Sequence, residues 1–324
     1  MSYLSLRLSK KLNHIAEQLW LESRRHVREC ISPGCTNRAT IRSHIIQRNG
    51  VITEICDKRN EVVRLWTSGY GNNENSWCFE RTRSNEALSF VGYCTECDNN
   101  LFRSIERNST FDTRDSALLL WTMRALAHEA MKKVNNVYWY ESILDDYRFQ
   151  GTIAADFAFK KLQDSRPASV LLKNLYERVS CEHASPSGLL EFSVKEIERI
   201  DLCCSTFVFP AQILLKDHNI IPRFVLFTTF PRGTKSITIE GWPTVHGNLP
   251  VSFIPNRVDL SMTRKTVSDY ILLYSEDIAL SSKLFLELKP HVSDILDVKD
   301  RLLYTPAEKL TDPGFDMFAL TPRK

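Results

Sequence analysis

No stretch of this chain approaches the ~18 uncharged apolar residues that would mark a membrane helix, so a membrane role is not expected. The opening residues hold no apolar core long enough for a secretory signal, which makes a cytoplasmic location the expectation. A glycine-rich phosphate loop and a Gly-x-Ser-x-Gly elbow are both missing, and with them any support for nucleotide-driven or serine-hydrolase chemistry. There is no internal repeat and no low-complexity tract. A net charge of only +3 does not by itself announce nucleic-acid binding. Nine cysteines without an export signal argue against a disulfide framework.

The charge is nevertheless uneven. Residues 1–50 carry nine Lys and Arg against three Glu, a local +6 that reads either as a phosphate-attracting surface or as a solvated helix face. A length of 324 residues suggests about two domains. Leu4, Leu8, Leu12, Ile15, Leu19 and Val27 recur at helical spacing over 3–29. A Pro-Gly turn breaks that pattern, and residues 39–46 then read as a short strand. Residues 47–84 read as loop-rich, with a short strand at 62–66 and no apolar periodicity at 69–75. Order returns with a strand at 88–94 and helices at 98–107, 114–133 and 151–178, the last interrupted by Pro167. Beyond about 185 the texture is of short apolar runs separated by turns: 189–194, 205–209, 223–230, 236–241, 251–254 and 270–274. Residues 231–234 read as a hairpin turn and 281–289 as a closing helix.

The strongest chemical signal is a pair of cysteine pairs, Cys30-x4-Cys35 and Cys94-x2-Cys97. Two tight turns of this kind can clasp one tetrahedral Zn²⁺, because every sulfur must come within ~2.3 Å of the ion. The second pair stands before a helix, whose N-terminal dipole also favours thiolates. The alternative is four unrelated buried cysteines. Cys56, Cys78, Cys181, Cys203 and Cys204 read as small buried hydrophobes. Arg124 and His128 share one face of the 114–133 helix, where a surface or interface role is expected.

Between the cysteine pairs the chain reads Ser43-His44-Ile45-Ile46-Gln47, then Ser89-Phe90-Val91-Gly92-Tyr93-Cys94, then Cys97-Asp98-Asn99-Asn100-Leu101-Phe102. Over roughly residues 28–107 this resembles the treble-clef branch of the HNH (ββα-metal) endonucleases, in a variant associated with prokaryotic phage defence. The resemblance implies a structural Zn²⁺ on Cys30, Cys35, Cys94 and Cys97. It implies a catalytic site containing His44, Asp98, Ser43 and Ser89, with Asp98 ligating a catalytic Mg²⁺ or Mn²⁺. The family's usual first metal ligand is replaced by Ser43, the usual Asn by Ser89, and the usual His by Asp98. A further ligand is therefore looked for elsewhere, with Glu106 and residues 69–86 as candidates.

In physical terms, an imidazole near its normal pKa, supplied by His44, accepts a proton from an attacking water, and a hard oxygen ligand such as Asp98 suits Mg²⁺ or Mn²⁺. The bland readings are a core histidine and a helix N-terminal carboxylate. Arg38, Arg42 and Arg48 are the expected nucleic-acid contacts. The expected fold is α+β: a zinc-binding treble-clef module flanked by helices (1–110), a helical connector (111–180), and a β-rich domain for recognition or partner docking (181–324). The expected activity is metal-dependent cleavage of nucleic acid, DNA foremost, with a protein partner or a homodimer also expected. The rival readings are an inactive zinc-stabilised nucleic-acid-binding module and an interaction protein whose zinc is purely structural.

Overall fold

The computed structural model describes residues 10–26, 28–67, 77–107, 111–208, 223–247, 250, 254, 257, 259–303, 313 and 315–319. Its class is α+β. Helix α1 (Lys10–Arg25) turns Ile15 and Ala16 inward, one turn on from Leu12. They pack on Trp139, Tyr140 and Ile143, and the Trp139 indole N–H donates to the Ala16 carbonyl at 3.0 Å. Strands β1 (Ile41–His44) and β4 (Ser89–Tyr93) pair antiparallel as a separate two-stranded sheet, and α2 (Thr95–Arg107) follows directly.

Between β1 and β4 the chain makes an antiparallel hairpin, β2 (Glu61–Thr67) and β3 (Trp77–Arg83). The sequence suggested one short strand there. Both hairpin strands join a larger sheet, since β2 pairs with the distant β9 (Asp277–Leu280), Val63 opposite Leu280. The remaining strands are β5 (Leu190–Glu198), β6 (Leu202–Val208), β7 (Val225–Arg232) and β8 (Lys235–Pro243). The seven run in the order β3-β2-β9-β6-β7-β8-β5, antiparallel at every junction.

Both faces of this sheet are covered, which explains why β6, β7 and β8 read as apolar runs rather than as alternating patterns. Cys203, Leu226, Phe230, Ile237 and Ala279 face one core, shared with α3 (Asp115–Asp145) and with the cysteine-bearing segment. Cys204, Val225, Phe227, Ile278 and Leu280 face the other. There they meet α5 (Arg264–Tyr274), α6 (Ser282–Leu288) and α7 (Val292–Leu303). Helix α3 is buried along much of its length and lies antiparallel to α4 (Ile153–Ala184), joined through a single 3₁₀ turn at Tyr147–Phe149.

Several local expectations change. Helix α4 runs unbroken through Pro167, so packing against α3 outweighs the ~3 kcal/mol a helix-interior proline costs. Residues 270–274 are the end of α5, not a β run. The Thr263 side chain caps that helix by accepting from the Thr266 N–H at 3.1 Å, and Val267, Tyr270 and Ile271 are all buried, so its apolar density reflects a core helix. Cys203 and Cys204 are buried as expected, Cys56 and Cys78 are half-buried, and Cys181 is exposed. Residues 69–75 and 251–253 lie outside the described residues. Among the described residues, no helix is long and apolar enough to cross a membrane.

Candidate metal centre

The first cysteine pair is shaped by backbone hydrogen bonds. The Cys30 N–H donates to the Asn37 carbonyl at 2.8 Å and the Cys35 N–H to the Ser32 carbonyl at 3.1 Å, with Gly34 at φ +73° in the turn. Two further bonds tie this loop to β4: Ile31 N–H to Gly92 O at 2.9 Å, and Thr40 N–H to Tyr93 O at 3.1 Å. Cys94 leaves β4 and Cys97 lies in the first turn of α2.

The four sulfurs lie within 4.8 Å of one another, and Cys35 Sγ is 3.9 Å from Cys94 Sγ. Four thiolates at ~2.3 Å around a tetrahedral ion would be ~3.8 Å apart, so donor set and spacing both fit Zn²⁺. All four are free of disulfides. N–H groups point at the sulfurs: Cys94 N–H at Cys30 Sγ (3.3 Å), Cys97 N–H and the Asn37 amide at Cys94 Sγ (3.4 and 3.8 Å). The Cys97 N–H is the largest reason that the Cys94 thiol is drawn down to about 7, favouring the thiolate a metal needs. Burial pushes Cys97 up to about 12.

Next to the cysteines is a polar cluster. Ser43 on β1 turns inward and Asp98 on α2 is 7% exposed. The Ser43 hydroxyl and Asp98 Oδ1 are buried without a hydrogen-bond partner. Burial raises the Asp98 carboxyl above its usual value, against the opposing pull of the Arg124 charge.

His44, half-buried, brings Nε2 to 3.3 Å from the Ser84 carbonyl. A carbonyl only accepts, so the ring proton belongs on Nε2 and Nδ1 keeps its lone pair. Burial lowers His44 to about 4, below the near-normal value expected from the sequence, and the charges of Arg124 and Arg48 add to that effect.

Arg124 rises from α3 into the same region and is wholly buried. Its Nη2 donates to Glu106, and its guanidinium carbon lies 4.2 Å over the Phe102 ring. Asp98, Phe102 and Glu106 are spaced by four along α2, so they share the face that meets Arg124. The Gln47 amide donates to the Glu106 carbonyl at 2.7 Å, fixing the end of that helix.

The four cysteines come together as their spacing suggested, and Ser43 meets Asp98. His44 and Asp98 have Arg124 and Glu106 as common charged neighbours. Ser89 pairs in register with His44, but its hydroxyl donates to the Glu86 carbonyl at 2.7 Å. The group that orients His44 is the Ser84 carbonyl, a backbone atom invisible to motif reading. Arg38, Arg42 and Arg48 are all exposed, Arg42 lying 3.5 Å from Glu86 and Arg48 bonding Asn49.

Among the described residues, the four cysteines are the one group of three or more His, Cys, Asp or Glu side chains close enough to share an ion. Arg124, expected at a helix surface or a domain interface, is buried and ion-paired with Glu106 of α2. The signal for this was present: one arginine flanked by Leu118–Met123 and Ala125–Ala127, where a charge must find a partner. Compared with known protein families, curated proteins and solved structures, the chain matches none.

Proposed function

We propose that this chain is a zinc-stabilised phosphodiester hydrolase of the HNH, treble-clef type, with DNA as its substrate. One observation carries the reading: a neutral imidazole, His44, oriented by a carbonyl at the end of the strand that the cysteine cluster braces. The neighbouring Arg124 supplies a positive charge for a phosphate, and Asp98 shares the same charged surroundings as His44. Nδ1 of His44 takes a proton from water as the water oxygen bonds to phosphorus. The bond from phosphorus to the leaving sugar oxygen breaks, and that oxygen is protonated from solvent.

Asp98 Oδ1, a buried carboxylate oxygen without a partner, suits a hard cation. No preassembled cage surrounds it among the described residues. Mg²⁺ commonly combines one or two carboxylates with substrate phosphates and water, so Asp98 would be the protein's share of the coordination. Such an ion supplies charge neutralisation at the phosphate and at the leaving oxygen.

The test is plasmid cleavage with Mg²⁺, Mn²⁺ or EDTA, beside His44→Ala. A drop of about 10²–10⁴-fold in the variant is expected for loss of a general base. A second reading is favoured by Ser43 standing where the family has a metal ligand: a zinc-braced module that binds nucleic acid without cutting it. Salt-sensitive binding by a folded, zinc-loaded protein that leaves every substrate intact would select this second reading.

A further inference from the structure

Arg124 is 0% exposed, yet its Nε and Nη1 have no hydrogen-bond partner. A guanidinium carries five N–H donors in one plane, and buried donors are nearly always satisfied. Phe102 packs under the plane of this one, which leaves the in-plane edges for acceptors. The one carboxylate bonded to it, that of Glu106, belongs to a side chain 37% exposed. Two further buried atoms without partners, Ser43 Oγ and Asp98 Oδ1, lie in the same cluster. His44 borders it with its neutral ring, and the exposed Arg48 lies within electrostatic reach of His44.

We propose that Arg124 is a phosphate-binding residue, and that the Glu106 carboxylate occupies the place a substrate phosphate takes. This rests on the hydrolase reading above and adds the group that receives the anion. Forked recognition of a phosphate is what a guanidinium does better than an ammonium. Glu106, being part-exposed at the last turn of α2, rotates outward toward water as the phosphate oxygens replace its own. The arriving phosphate then meets the unpartnered N–H groups and lies beside His44.

The experiment is calorimetric titration of the zinc-loaded protein with inorganic phosphate, and separately with a short single-stranded DNA, both without added Mg²⁺ or Mn²⁺. Glu106→Gln removes the competing charge while keeping the shape of the side chain. Phosphate affinity is expected to rise about tenfold in that variant, since a neutral amide competes poorly for a buried guanidinium. Arg124→Met placed on the Glu106→Gln background should abolish the gain. Because Arg124→Met removes a buried pair, each variant is first checked for zinc content and cooperative unfolding, and Arg124→Lys serves as the milder change.

A merely structural ion pair makes the opposite forecast: Glu106→Gln loses stability and gains no affinity. Phosphate binding no tighter in a folded, zinc-loaded Glu106→Gln than in the wild type overturns the proposal. The hydrolase reading fails separately. Absence of plasmid cleavage, with the Glu106→Gln gain intact, rejects the chemistry and keeps the anion site.

Discussion

Two histidines are kept uncharged by burial, and they give this protein an acid-sensitive stability. His44 is lowered to about 4, and His128, packed edge-on against Phe90 with ring centroids 5.4 Å apart, to about 3. An unfolded chain protonates both near 6.5. Below that value the unfolded state binds more protons than the folded state, so the stability present above pH 6.5 is lost as the pH falls toward 4. The slope should approach ~1.4 kcal/mol per pH unit for each histidine in mid-window. Urea unfolding at several pH values, with zinc retention checked by metal analysis, measures it, and His128→Leu should flatten the dependence by about half. At this scale the sequence was legible where chemistry depends on residue type and spacing, as with the four cysteines. It was not legible where the partner is a backbone atom, as with the Ser84 carbonyl at His44.

The cysteine-bearing unit depends on close approach between short elements. Gly92 on β4 is an instance: a Cβ there would lie 2.6 Å from Phe90 Cε2 and 3.1 Å from Met131 Cγ. Phe90 has little room to give, since it packs against both Tyr93 and His128. Gly92→Ala should therefore cost about 1–3 kcal/mol by overpacking, read as a lower urea midpoint together with faster loss of zinc to a chelator. Cys94→Ser should release the ion outright, because Cys94 joins the two knuckles and collects two of the three N–H···S contacts. Metal analysis should find one zinc per wild-type chain and almost none in this variant. Elements with strong local signals were readable in advance: α1, β1, α2 and the β7–β8 hairpin. The second hairpin strand, β3, and the helical identity of 270–274 were not. Their apolar residues answer to partners far along the chain, and local periodicity does not record those.

Across the whole molecule, the cysteine-bearing unit and the large sheet are bound together. Hairpin β2–β3, which belongs to the unit by sequence, buries Val63 and Leu65 in the sheet's core. Arg64 makes a two-pronged ion pair with Asp277 at 2.6–2.7 Å across that junction, both side chains nearly buried. Asp277→Ala leaves the guanidinium uncompensated and should destabilise by about 3–5 kcal/mol. Arg64→Met combined with Asp277→Leu should recover much of that loss, and urea unfolding of the three variants separates the cases. A fragment ending at residue 110 should fail to fold in any zinc concentration, since it would expose the apolar face of β2. Near-UV circular dichroism of that fragment is the check.

The same junction sets a schedule for synthesis. Strand β2 has β3 along one edge and finds its other neighbour only in β9, and Arg64 and Asp277 are 213 residues apart, so a ribosome has made most of the chain before that pairing can form. All four thiols and His44 emerge long before that. Until then the hairpin has no edge to join. An incomplete chain, released prematurely, would carry the four thiols and His44 without the sheet that holds β2. The edge of β2 is therefore covered only once β9 has been made.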